Sequence, residues 1–266
     1  MNFMLDHIVH SVNRSPEECV STMREAGLHA VSGGEHIKWG THNSLFYLQS
    51  SYVEFLAVKD RQTAEKAENP LIHQLLYDLS AGEGISQICI RCDDIKAAER
   101  KLQERWKTKV FDGERKTSSG DWIRWKMLFA EEQPGQQLPV PFFIQWEEED
   151  NKRFNKLKDQ GILSEKHDST NISRIFINVH AAEATAEKWG WLFGNPVNQY
   201  EGDSFWEGSG TAYSVNGGET QFIFMEPGSN EELQELLEKR GERPLAIQFH
   251  PSEFPAPAEY WGGKYY

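Results

Sequence analysis

The chain has 266 residues, enough for a large core, and its 38% hydrophobic and 12% aromatic content excludes a disordered polypeptide. A formal net charge of −13 leaves no basic excess to displace counterions from a phosphate backbone, so no nucleic-acid partner is expected. No run approaches the roughly 20 apolar residues that span a bilayer, so no membrane partner is expected either. Three cysteines and no leader-like N-terminus point to a reducing compartment, the cytoplasm.

LDHIVHSV at 5–12 is a strand with a polar residue, His7, inside an apolar run. Ser15-Pro16-Glu17-Glu18 then opens a helix: Ser15 caps, Pro16 suits the first helical position and Glu18 completes a capping box. Cys19, Val20, Met23 and Ala26 follow at helical spacing, and Gly27 ends the element. Strands are predicted near 29–33, 43–49 and 51–58, the last (YVEFLAV) carrying Glu54 among apolar neighbours. Asn69-Pro70 opens a second helix with Leu71, Leu75, Leu76 and Leu79 on one face.

The pattern then begins again. ISQICIRC at 85–92 is a strand, and a helix with Ile95, Ala98, Leu102 and Trp106 follows, then strands near 108–112, 122–130 and 140–147. Aligning LDHIVHSV with ISQICIRC sets Gln87 against His7, an offset of 80 residues, and aligning YVEFLA with FIQWEE sets Gln145 against Glu54. Residues 149–171 are charged and read as a linker. A third unit starts with ISRIFINV at 172–179 and runs through a helix at 181–193, strands near 211–216 and 220–226 and a helix from 229 to 241. PLAIQFH at 244–250 reads as the lone first strand of a fourth unit, and the tail from Pro251 as a strap.

A single βαβββ unit leaves one face of its sheet bare and needs a second to cover it. The expected fold is therefore α+β, with tandem βαβββ units in a half-open curved sheet. Residues 1–148 would form the functional pair, and 172–266 a degenerate second half. That half would pack on the first or pair with its copy in another chain, the basis for expecting a homodimer. His7, Glu54, Gln87 and Gln145 would converge inside the cup.

LDHIVHSV, GGEHIKWGTHNSLFYL, YVEFLAV and PFFIQW together resemble the glyoxalase-like members of the vicinal oxygen chelate superfamily. The resemblance covers 1–147 well and 172–250 more weakly. It implies a divalent metal (Mn, Fe, Ni or Zn) held by His7 and Glu54, with Gln87 as a further ligand, acting on a small-molecule substrate with adjacent oxygens. The chain departs from the superfamily's pattern of a histidine or glutamine, a glutamate, a histidine and a glutamate: the second unit offers two neutral glutamines. Amide oxygens suit hard cations and are poor zinc ligands.

Other readings stay open. His7 is equally well read as a core histidine bonded to a carbonyl, and Glu54 as an ion-paired carboxylate or a general base without metal. His36 and the Gly40-Thr41-His42-Asn43 loop are expected to rim the pocket, although loops use the same residues for turns. Trp125, Trp146 and Gln145 are expected to line it. A metal-free protein that sequesters small molecules, as bleomycin-resistance proteins do, is the rival function. Cys89 and Cys92 lie on opposite faces of a strand and make no redox pair. No Walker loop, dinucleotide-binding glycine motif or nucleophile elbow occurs.

Overall fold

The computed structural model describes residues 3–116, 122–202, 205–251 and 257–266. Its first half contains β1 (Phe3–Ser11), α1 (Pro16–Glu25), β2 (Ala30–His36), β3 (Thr41–Tyr47), β4 (Tyr52–Val58), α2 (Arg61–Lys66), α3 (Pro70–Ala81), β5 (Gly84–Cys92), α4 (Ile95–Leu102), β6 (Thr108–Lys116), β7 (Trp122–Ala130) and β8 (Phe142–Trp146). The predicted capping box at Ser15 and Glu18 is formed on both sides, and Asn69 caps α3. The unpredicted α2 is a single short helix capped by Asp60.

The eight strands form one sheet in the order β2-β3-β4-β1-β5-β8-β7-β6. Within each unit the first and last strands run parallel (β1 with β4, β5 with β8), and the two first strands meet antiparallel. Their register is self-symmetric: Ile8 faces Ile88, while His7 faces Cys89 and Val9 faces Gln87, as an 80-residue offset requires. This is the curled half-barrel of tandem βαβββ units.

The second half contains β9 (Asn171–Asn178), α6 (Ala182–Phe193), β10 (Asn198–Gln199), β11 (Ala212–Gly217), β12 (Thr220–Met225), α7 (Glu231–Arg240), β13 (Arg243–His250), β14 (Ala258–Tyr260) and β15 (Gly263–Tyr265), in the sheet order β10-β11-β12-β9-β13-β15-β14. It repeats the same wiring. β12 lies parallel to β9, β13 antiparallel to β9, and β15 parallel to β13. The strand expected to stand alone therefore has a neighbour on each side. The described part of the tail is a hairpin that takes the place of a fourth unit's last strands, where its composition suggested a strap.

Strand alternation divides each sheet into two faces. Ile8, Val53, Phe55, Ile88, Ile90 and Phe143 share one core with Ile175, Ile177, Phe222, Phe224 and Ile247 of the second half. The second half thus packs on the outer face of the first, and the first sheet's inner face is left to form a cup. Between the halves lies α5 (Asp150–Asp159), in the segment read as a linker, with Phe154 and Leu157 against Tyr47 and Tyr52.

Helix α3 decides what becomes of the cup. Its Leu71, Ile72 and Leu75 pack onto Val9, Cys89 and Phe142, plugging the middle of the inner face. The remaining space is divided: one cavity beside His7, and a separate crevice of about 310 Å³ beside Gln87 and Phe129.

Candidate active site

The cavity beside His7 has a volume of about 70 Å³ and is walled by side chains of β1, β3, β4, β7, β8 and α3. His7, Glu54, Thr41, Asn43, Trp125 and Trp146 line it, with His36 at its rim. His7 Nε2 lies 3.5 Å from Glu54 Oε2, and both residues are buried.

Asp6 fixes the chemistry of His7. Consecutive strand residues ordinarily point to opposite faces, but the β1–β5 register shifts between Leu5 and His7, leaving Asp6 as the extra residue of a bulge. Its Oδ1 thereby reaches His7 Nδ1 at 2.8 Å. Its Oδ2 accepts hydrogen bonds from Trp146 Nε1 (2.9 Å), Arg91 Nη1 (3.2 Å) and Arg153 Nη2 (3.4 Å). Complete burial alone would raise the Asp6 pKa, but the His7 hydrogen bond and the charges of Arg153 and Arg91 outweigh it and hold the carboxyl well below its usual range. An ionised Asp6 only accepts, so in the neutral form of His7 the ring proton sits on Nδ1 and the Nε2 lone pair faces the cavity. Among the described residues that buried Nε2 has no hydrogen-bond partner.

Glu54 is oriented by a similar chain. The Gly34 N–H donates to Asn43 Oδ1 (2.9 Å), which turns the Asn43 amide so that Nδ2 donates to Glu54 Oε1 at 2.5 Å. A Cβ on Gly33 would lie 2.0 Å from Asn43 Oδ1, so this geometry needs glycine there. Tyr52 stacks on the His7 ring (4.6 Å, 20°), and its buried phenol is held neutral, first by desolvation and then by the charges of Asp6 and Glu54.

Other predicted residues lie elsewhere. Gln145 is on the opposite face of β8, where its Oε1 accepts from the Ile95 N–H and its Nε2 donates to Asp93 O, tying the strand to α4. The residue equivalent to Glu54 is Phe142, because Val9 pairs with Glu54 as Cys89 pairs with Phe142. Gln87 is on the inner face but beyond α3, donating to Leu71 O (3.2 Å). His42 points away from the cavity, as strand alternation from Thr41 and Asn43 requires. Gly40 is a left-handed turn residue whose backbone meets Asp60, where a Cβ would clash at 2.3 Å. Asp6, Tyr52, Phe142 and Arg153 carried no sequence signal beyond composition; a bulge is not visible in a run of apolar letters.

A profile of the glyoxalase-like domain matches residues 5–193. The chain belongs to the glyoxalase-like domain family. Its fold is that of the vicinal oxygen chelate superfamily. A hypothetical protein from Staphylococcus aureus superposes with a TM-score of 0.75 at 22% identity, covering 100% of this chain and 98% of the other. A mutant of 4-hydroxymandelate synthase from Streptomyces coelicolor superposes with a TM-score of 0.55 at 11% identity, covering 92% of this chain and 70% of that enzyme. No curated protein sequence matches. Among the described residues no helix is long and apolar enough to cross a membrane.

The metal implied by the superfamily can be tested against the donors present. Asp6, His7 and Cys89 place three donor atoms within 4.8 Å of one another, a buried group that could hold an ion. Asp6 is otherwise engaged, serving His7 Nδ1 and two guanidinium groups. His7 Nε2 and Glu54 Oε2 are spaced as two ligands of one ion can be, about 3–3.5 Å for bonds near 2.1 Å. The other two positions hold a glutamine turned to α3 and a phenylalanine. The residues do not make up the implied ligand set.

Proposed function

We propose that the chain is a small-molecule enzyme that moves a proton on a substrate with adjacent oxygens, with His7 Nε2 as the base. One observation carries this reading: a buried imidazole nitrogen with no hydrogen-bond partner among the described residues, its tautomer set by an ionised carboxylate, opens on a cavity shared with a second carboxyl group. When Nε2 takes a proton, the imidazolium stands between Asp6 and Glu54, both placed to stabilise the new charge. Asn43 keeps Glu54 Oε1 occupied, which leaves Oε2 to face His7. The buried setting strengthens these electrostatic contacts relative to water. Thr41, hydrogen-bonded to His36 at 3.0 Å, and the neutral Tyr52 phenol supply polar surface for substrate oxygens.

The test is hydrogen exchange in D2O, followed by NMR, across a panel of small α-hydroxy and α-oxo acids. Exchange at the carbon next to the oxygens is expected with the natural chain, falling by about 10²–10⁴ in His7→Gln. Exchange that survives His7→Gln would overturn the assignment. A second reading, metal-free sequestration, draws support from the aromatic walls of Trp39, Tyr47, Trp125 and Trp146. Tight binding of a panel member without exchange would favour it.

A further inference from the structure

A 70 Å³ cavity holds only a few heavy atoms, yet it has a much larger neighbour. On the far side of Trp125 and Trp146 lies a groove of about 620 Å³, lined among others by Lys38, Asp112, Arg124 and Lys126. The two tryptophans border both spaces and pair across β7 and β8, with ring centroids 5.5 Å apart. They are held very differently. Trp146 is anchored through Nε1 to Asp6 (2.9 Å) and lies 4.4 Å beneath the Arg153 guanidinium. The Trp125 indole N–H has no hydrogen bond to any described residue; the ring rests on the bare backbone of Gly113, its cross-strand partner. A Cβ at 113 would lie 2.2–2.7 Å from Cε2, Nε1 and Cζ2 of that indole, so only glycine accepts the ring in its present position.

We infer that Trp125 is the movable wall between cavity and groove, and that the substrate is built in two parts. A compact oxygen-bearing head of a few heavy atoms sits at His7, and a longer polar body lies in the groove. The groove's carboxylates are met internally, since Arg124 pairs with Glu114 and Glu147 (both 3.6 Å) and Lys126 with Asp112 (2.6 Å). The Lys38 ammonium has no ion-pair partner among the described residues and is the charge left to meet an anionic group on the body. Trp125 and Gly113 then set which heads reach the base. They are specificity-determining rather than catalytic. The substrate class rests on the proposed proton-transfer reading; the movable wall does not.

The experiment reads the ring, not turnover. The full chain is labelled with 5-fluorotryptophan, and the 125 and 146 resonances are assigned from Trp125→Phe and Trp146→Phe. The 125 resonance is expected to show exchange broadening that the 146 resonance lacks. In Gly113→Ala it is expected to shift and to be broadened several-fold more by a soluble gadolinium chelate, with 146 unchanged. If Gly113→Ala does not fold, Trp125→Ala replaces it. Removing the wall is then expected to increase several-fold the broadening of the buried His7 ring resonances by a neutral nitroxide. Equal, exchange-free resonances at 125 and 146, or a 125 ring that stays shielded in Gly113→Ala, would overturn the movable wall. Because no arm requires turnover, the wall can fail while His7 chemistry stands, and the reverse.

Discussion

Asp6 and His7 are neighbours in one strand, yet their side chains meet on the same face, Oδ1 to Nδ1 at 2.8 Å. The bulge that permits this turns a structural carboxylate into the group that sets a tautomer. Replacing Asp6 by Asn puts an N–H donor opposite Nδ1 and drives the ring proton to Nε2. In Asp6→Asn, exchange activity is expected to fall by about 10⁴, as a wrong tautomer does elsewhere. The ¹⁵N shifts of the His7 ring report the switch directly. Arg91 and Arg153 lose their buried counterion but keep the partly exposed Asp150, so a stability loss of about 1–3 kcal/mol is expected alongside. An unchanged His7 tautomer would show that Asp6 does not set it.

His10 is fully buried between the sheet and the tail hairpin, where its Nε2 lies 2.9 Å from Trp261 O and its Nδ1 2.5 Å from the Tyr265 hydroxyl. Desolvation is the main cause that lowers its pKa to about 3; the Trp261 carbonyl works the other way and Arg240 assists. The folded value lies below the unfolded one near 6.5, so the unfolded chain binds the extra proton between those limits. Stability is therefore present above about pH 6.5 and is lost as pH falls towards 3, by up to about 1.4 kcal/mol per unit. His10→Gln should flatten the urea-denaturation midpoint between pH 6.5 and 4.5 relative to the natural chain. Parallel curves would remove His10 as the cause.

How much of this could be read from letters alone depends on the kind of interaction. Short apolar runs such as LDHIVHSV and YVEFLAV announce strands, and their polar interruptions mark His7 and Glu54 because a buried charge is costly. Ser15 and Glu18 announce a helix start because capping is local. Register is not local. Matching FIQWEE to YVEFLA by eye set Gln145 against Glu54, whereas the hydrogen-bond ladder sets Phe142 there, and an odd offset turns a side chain to the other face. Arg153 reaches Asp6 from a segment whose charged composition resembles a linker, and no pattern within 150–159 says which guanidinium will be buried. The tail hairpin was illegible because its strands have three residues each, too few for alternation to show.

A buried ion pair joins the halves. Arg243, fully buried on β13, donates through Nε (3.0 Å) and Nη2 (2.8 Å) to Asp78 Oδ1 on α3, while its Nη1 and Nη2 also reach the carbonyls of Gln137 and Gly135. Removing the carboxylate strands this guanidinium and leaves the neighbouring Arg240 without its favourable charge. Asp78→Ala is expected to cost about 3–5 kcal/mol. Because α3 plugs the cup, loosening should appear in hydrogen exchange at α3 and β13 before the rest of either sheet. Protection lost uniformly across the chain would contradict a clasp of this kind.

Phe142 occupies the position equivalent to Glu54, and its ring meets His7 edge-on with centroids 5.5 Å apart. Phe142→Glu would add a third donor, a carboxylate oxygen, on the inner face beside His7 Nε2 and Glu54 Oε2, the arrangement that a divalent ion requires and the present residues do not supply. Manganese EPR and nickel calorimetry on protein dialysed against chelator should show at least about a tenfold gain in affinity, worth about 1.4 kcal/mol. The apo form of this variant should melt earlier, because a new carboxylate is buried beside an existing one, and should recover with metal bound. Equally tight metal binding by the natural chain and the variant would mean that His7, Glu54 and other groups already complete a site, and the conclusion that the residues present fall short of a ligand set would have to be abandoned.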